Sequence, residues 1–228
     1  MVRENISQSP LVNGGVYHVI SRSIARYQIF NTNADYLRMV QVLRFYQIAQ
    51  PVTKYSMFLR LKGTEELGFD SYFSFLHKDQ EKLTDIVAYC LMPNHIHLIL
   101  KQLKKKGISI FMANVLNSYT RYFNILHKRK GPLWDSRFKH ILVSIDDQLL
   151  HLTRYIHLNP CSAKLCERPE NWKYSSYLEY VDQNRSNIIT SYKDLLQFTS
   201  REYRRFVNDQ KDYQRKLSEI KNLVDLET

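Results

Sequence analysis

The chain has 228 residues and carries 33 Lys and Arg against 22 Asp and Glu, a formal net charge of +11. Hydrophobic residues make up 44% of it, which supports a packed core and excludes a largely disordered state. No stretch reaches the ~18 apolar residues that span a bilayer. The first thirteen residues are polar and lack the apolar core of a signal peptide, so the protein is expected in the cytoplasm. A globular chain this basic is expected to meet a polyanion rather than a membrane. The cysteines Cys90, Cys161 and Cys166 are odd in number and sparse, which fits reduced thiols rather than a disulfide framework.

Gly14-Gly15 marks a turn, and Val16 to Ile20 reads as a strand rich in β-branched and aromatic residues. Asn33 is placed to cap a helix over residues 34–46, with Tyr36, Met39, Val40, Val42 and Leu43 as its apolar positions. Residues 51–82 follow no clear period; 55–61 suggests a strand, and Gly63 and Gly68 punctuate the rest. Residues 86–91 form a short apolar run consistent with a buried strand. Met92-Pro93-Asn94 interrupts it, because Pro cannot donate to a ladder. Residues 95–101 alternate, with Ile96, Leu98 and Leu100 on one face and His95 and His97 on the other.

From 108 to 126 the apolar residues fall at helical spacing, and Gly131-Pro132 follows a basic run. Residues 138–143 read as a further strand. Ser144 or Asp146 can cap the next helix, which Pro160 is expected to end after Asn159. A last helix is expected over 195–217. The order β-α-(insert)-β-β-α-β-α predicts an α+β fold, a ferredoxin-like split βαβ antiparallel sheet with helices on one face. The boundaries expected are a catalytic domain over 1–182, with an insertion at about 47–83, and a basic helical tail over 183–228.

Two constellations carry chemistry. In His95-Ile96-His97 the period of two puts both imidazoles on one face, and imidazoles suit divalent metals. By itself this pattern is common, and two unrelated histidines fit it equally well. A zinc deaminase is a poor fit, because its downstream CxxC is missing. In the helix that follows residue 145, Ile145, Leu149, Leu152 and Ile156 form the apolar stripe. Tyr155 lies off that stripe, and His151 and Asn159 share its strip. An Asn carbonyl can ligate a metal; equally, Tyr155 can be a core-edge ring and Asn159 a helix-end residue. Tyr119 lies on a core stripe, and Tyr122 beside it is a second rival hydroxyl. The basic loop Lys128, Arg129, Lys130 with Arg137 and Lys139 suits phosphate contacts, and Trp134 suits stacking on a base or anchoring the loop. Arg22 and Arg121 are further phosphate candidates.

The segments Tyr89-Cys90-Leu91-Met92-Pro93-Asn94-His95-Ile96-His97-Leu98, Gly131-Pro132-Leu133-Trp134-Asp135-Ser136-Arg137-Phe138 and Tyr155-Ile156-His157-Leu158-Asn159-Pro160 together resemble the REP-associated tyrosine transposases. These are single-tyrosine members of the HUH (His-hydrophobe-His) transposases. Gly15-Val16-Tyr17-His18-Val19 and Trp172-Lys173-Tyr174-Ser175-Ser176-Tyr177 are also similar, and the resemblance covers roughly residues 13–180. It implies Tyr155 as nucleophile and Mg2+ or Mn2+ on His95 and His97, with Asn159 four residues after the tyrosine. It further implies cleavage and rejoining of single-stranded, hairpin-bearing DNA through a 5′-phosphotyrosine, in a monomer or homodimer at the nucleoid. Residues 47–83 depart from the family by their length. The other readings are a domesticated, non-catalytic hairpin-binding protein and a metal-bound structural protein.

Overall fold

The computed structural model describes residues 9–144, 146–182 and 192–209. Four strands, β1 (Val16–Arg22), β2 (Thr84–Met92), β3 (His95–Gln102) and β4 (Lys139–Val143), form one antiparallel sheet in the order β2-β3-β1-β4. The helices are α1 (Asn33–Tyr46), α2 (Tyr55–Phe58), α3 (Lys62–His77), α4 (Gly107–Leu126), α5 (Asp146–Ser162), α6 (Tyr177–Val181), α7 (Tyr192–Leu195) and α8 (Ser200–Asn208). The expected split βαβ order is present in full.

Strand register sorts the side chains into two faces. Tyr17, Val19 and Ser21 align with Leu100, Leu98 and Ile96, while His18, Ile20 and Arg22 align with Ile99, His97 and His95. On the first face Gln102 accepts the Ile108 backbone N–H at 3.3 Å and so starts α4 there. Eight residues of α4, from Gly107 to Phe123, are buried, and α1 packs against it. On the second face Asn159 of α5 meets His97. The helices therefore occupy both faces rather than one. β2 is buried along its whole length and β1 and β3 through their middles, and a second apolar helix stripe covers the histidine side.

Local chemistry shapes the elements. The cap of α1 is Thr32, not Asn33: its hydroxyl accepts the Asp35 N–H and the Asp35 carboxylate accepts the Thr32 N–H, a reciprocal box. Residues 55–58 form a helical turn where a strand was expected. Tyr55 and Phe58 are three apart, so one turn brings both rings against Phe45. With Phe69 and Phe73 of α3 they build an aromatic cluster over the end of α1. β2 would be a bare edge, but residues 174–176 run along it: Leu91 N–H donates to the Tyr174 carbonyl and Ser176 N–H to the Tyr89 carbonyl, both at 2.9 Å.

α5 passes through Pro160 and ends at Ser162. The missing N–H of Pro160 removes one bond, yet the last turn is completed by Ala163 N–H to the Asn159 carbonyl and Lys164 N–H to the Cys161 carbonyl. The expected helix over 195–217 is interrupted, because Thr199 caps α8 afresh with Glu202. Positions 210–217 lie outside the described residues, as do Ile145 of the α5 stripe and much of the tail. Among the described residues no helix is long and apolar enough to cross a membrane.

Candidate metal and nucleophile site

The turn Pro93-Asn94 sets the first histidine. The chain after β1 closes over it: Ser23 N–H donates to the Asn94 carbonyl and Ile29 N–H to the Pro93 carbonyl, both at 2.9 Å. Ala25 and Arg26 take positive φ values of 51° and 57° to make that closure. Asn94 Oδ1 then lies 2.6 Å from His95 Nδ1. An amide oxygen only accepts, so Nδ1 carries the proton and the lone pair is on Nε2. His95 Nε2 is buried with no partner among the described residues.

The second histidine obeys the same rule. The Asn159 Nδ2 amide donates to His97 Nε2 at 3.1 Å, which fixes the lone pair there. Its Nδ1 therefore holds the proton and faces His18 Nε2 at 3.2 Å. The His18 and His97 rings stack at 5.5 Å, and those of His95 and His97 are 4.8 Å apart. Both site histidines are held neutral. Burial pushes His95 down to about 4, with the Arg22 guanidinium adding to it. Burial and the neighbouring imidazoles lower His97 well below its ordinary value. Neutral imidazole is the metal-binding form.

These donors fit a divalent ion. Two Nε2 lone pairs share one face, one of them an orphan. His95 Nε2, His97 Nε2 and, with its amide turned, Asn159 Oδ1 would hold such an ion. Among the described residues no cluster of three His, Cys, Asp or Glu side chains joins them.

Tyr155 sits over this face. Its ring meets His97 edge-on at 6.3 Å. From His151 to Pro160 every residue but Tyr155 is buried, and Tyr155 is half-exposed. The rival hydroxyls are engaged elsewhere. Tyr119 Oη donates to the Ile29 carbonyl at 2.8 Å on the other side of the sheet, and burial raises its pKa far above the ordinary range. Tyr122 Oη donates to Asp35 at 2.8 Å, and burial with that carboxylate pushes it up to about 12.

The other expected residues divide. Arg22 faces His95 across the sheet and lines a small depression with Lys139, Asp135 and Ser136. Lys128, Lys130 and Arg137 are exposed on the loop before β4. Arg129 serves the loop itself: its guanidinium donates to Asn124 Oδ1 and the Pro132 carbonyl. Arg121 is exposed on α4, the helix of the opposite face, and is not brought to the histidines. Of the two roles expected for Trp134, the structure shows the anchoring one. The residue is 9% exposed and its indole N–H donates to the Leu116 carbonyl at 3.2 Å, so it anchors the loop to α4.

Sequence reasoning missed His18 as a partner of His97. The residue stood within a matching segment, but nothing local says that β1 lies beside β3. It also missed Arg154 and His157. Arg154 is fully buried, donates to the Phe206 carbonyl at 3.0 Å and stacks on that ring. His157 bonds Tyr203 Oη and Ser176 Oγ, each at 2.7 Å. Through them α8 is fastened to α5.

Comparison with known proteins finds similarity to transposases. Residues 52–159 match the family model of IS200-like transposases. Over that segment the chain is similar to the family. This match includes the histidine strand and the α5 tyrosine, runs over most of the segment expected as an insertion, and leaves out β1. A REP-associated tyrosine transposase of Haemophilus influenzae is 28% identical over 103 residues, which is 41% of this chain. The chain spans only 58% of that relative. Among solved structures, a REP-associated tyrosine transposase bound to a REP hairpin is similar in fold, with a TM-score of 0.50 and 16% identity. The superposition covers 85% of this chain and 94% of the other.

Proposed function

We propose that this chain is a single-strand DNA endonuclease and strand transferase. Tyr155 is the nucleophile, His95, His97 and Asn159 hold Mg2+ or Mn2+, and hairpin-bearing single-stranded DNA is the substrate. One observation carries this reading: two neutral imidazoles presenting Nε2 lone pairs, with the Asn159 amide, beside the one partly exposed tyrosine of a buried helix. The hairpin substrate is taken over from the similar protein that binds a REP hairpin.

Arg22, Lys139 and the exposed loop cations bind the strand's phosphates beside the histidines. A bound divalent ion supplies polarisation of the phosphate and offsets charge in the transition state. The Tyr155 oxygen attacks phosphorus, the P–O3′ bond breaks, and the departing 3′ oxygen takes up the proton. The 5′ phosphate stays on Tyr155 as an ester. That ester conserves the bond energy, so a 3′-hydroxyl can later displace the tyrosine and rejoin the strand. A hydrolase would lose this reversal.

The test is incubation of labelled hairpin-bearing single strands from the flanks of the chain's own gene with Mg2+ or Mn2+. A covalent protein–DNA adduct on the Tyr155 peptide is expected, lost in Tyr155→Phe and in chelator. His95→Ala and His97→Ala should lose the adduct yet keep most DNA binding. Hairpin binding with no adduct under any metal would instead identify a non-catalytic binding protein. An adduct on the Tyr119 or Tyr122 peptide would overturn the assignment of the nucleophile.

A further inference from the structure

The sheet face opposite the histidines holds a cavity of about 690 Å3 between α4 and the start of β4. Three planar rings, Trp134, Phe138 and His140, contribute to its walls, with Asn117 and Arg137 among its polar groups. Register explains why rings gather there. Val19 pairs with His140, so His140 and Phe138 turn toward α4, while Lys139 pairs with Ile20 and turns toward the histidine face. His140 is 8% exposed, and its Nε2 donates to the Ser9 carbonyl at 3.0 Å. That leaves its Nδ1 as an acceptor with no partner among the described residues.

The two faces are joined at one place. Ser136 lines this cavity and also the depression formed by Arg22, Lys139 and Asp135 on the histidine side. From His95 across β1 to the β4 side is two strand spacings, ~10 Å. A single strand lying on the histidine face can therefore turn over the sheet edge within a few nucleotides.

We propose that this cavity takes one unstacked base of the DNA strand whose backbone lies at the histidine site, a reading that rests on the proposed function. The volume lies within the ~300–1,000 Å3 of small-ligand pockets. Its rings suit a flat aromatic ligand, and the Asn117 amide can donate to and accept from a base edge. No carboxylate lines the cavity, and Arg137 offers a cation for the adjoining phosphate. A base seated there fixes which phosphate reaches Tyr155, so the cavity sets sequence preference beside the cut.

Ala113 lines the cavity from the exposed side of α4, so Ala113→Trp fills it without removing a bond. Asn117→Ala is the milder companion variant. The experiment replaces each nucleotide near the cut by an abasic residue and measures both binding and adduct formation. One position should lose about tenfold in wild-type binding when abasic. Ala113→Trp should lose a similar factor on the intact strand and show no further loss at that position; Asn117→Ala should reproduce part of it. Wild-type behaviour of Ala113→Trp, or equal abasic penalties in both proteins, overturns the cavity assignment even where the adduct forms normally. If no adduct forms, the catalytic reading fails, and the binding titrations alone still decide the cavity. Absence of any single-strand binding by the wild-type chain overturns both.

Discussion

His95 and His97 are defined as much by what touches their far nitrogens as by their position. Asn94 and His18 each take the Nδ1 proton and so put the ring lone pair on Nε2. Asn94→Ala should therefore weaken Mn2+ by about tenfold or more, read as a right-shifted metal dependence of adduct formation with the rate largely restored at saturating Mn2+. His157 makes a different prediction. Burial holds it down to about 3, while in the unfolded chain it titrates near 6.5. The unfolded state takes up the proton first, so this contribution to stability is full above about pH 6.5 and is lost as pH falls toward 3. The slope is about 1.4 kcal/mol per pH unit from this group. In urea unfolding between pH 6 and pH 4, His157→Asn should flatten the pH dependence by roughly that amount. At this scale the sequence was legible where one period governs a residue. Alternation put His95 and His97 on one face, and helical spacing took Tyr155 off its stripe. It was illegible where a residue's role depends on a neighbour in space. Trp134 reads the same whether it faces a base or the Leu116 carbonyl, and His18 gains meaning only from the strand beside it.

Among the elements, α5 depends on α8. Tyr203 Oη reaches both His157 and Thr153, and Phe206 lies under the buried Arg154 guanidinium at 4.0 Å. Tyr203→Phe keeps the ring and removes two bonds from buried partners, which should lower stability by about 1–3 kcal/mol. Thermal unfolding measures it, and an unchanged Tm would show that α8 contributes nothing there. The strands and the long helices α1 and α4 were legible because one period runs through each. α2 was misread because Tyr55-Ser56-Met57-Phe58 has the composition of a strand, and only its aromatic partners on α1 and α3 select the helical turn. Pro160 was overestimated as a stop, since a proline in a last turn forfeits only one bond.

Across the whole molecule the charge is unevenly placed. The segment from 51 to 82 carries Lys54, Arg60, Lys62, Lys78 and Lys82 against Glu65, Glu66, Asp70, Asp79 and Glu81, so it adds nothing to the net +11. Lys62→Gln and Lys78→Gln should leave the salt dependence of single-strand binding unchanged. Lys128→Ala, Lys130→Ala and Arg137→Ala should each reduce the slope of log affinity against log salt by about 1. Equal effects from both sets would place the DNA path over α3. This neutral, aromatic segment exposes Phe75 to 74%, and its composition alone did not reveal how it packs.

The bond from Arg154 to the Phe206 carbonyl joins positions 52 residues apart, and this separation has a meaning during synthesis. As the polypeptide leaves the ribosome, the four strands and both histidines emerge before the segment that fastens the tyrosine helix. A nascent chain can thus complete its sheet and its basic loop while Tyr155 still rides on a helix lacking its clamp. On the proposed function, capacity to cut would wait until residue 206 has emerged, and an interrupted translation product would hold a strand of DNA without severing it.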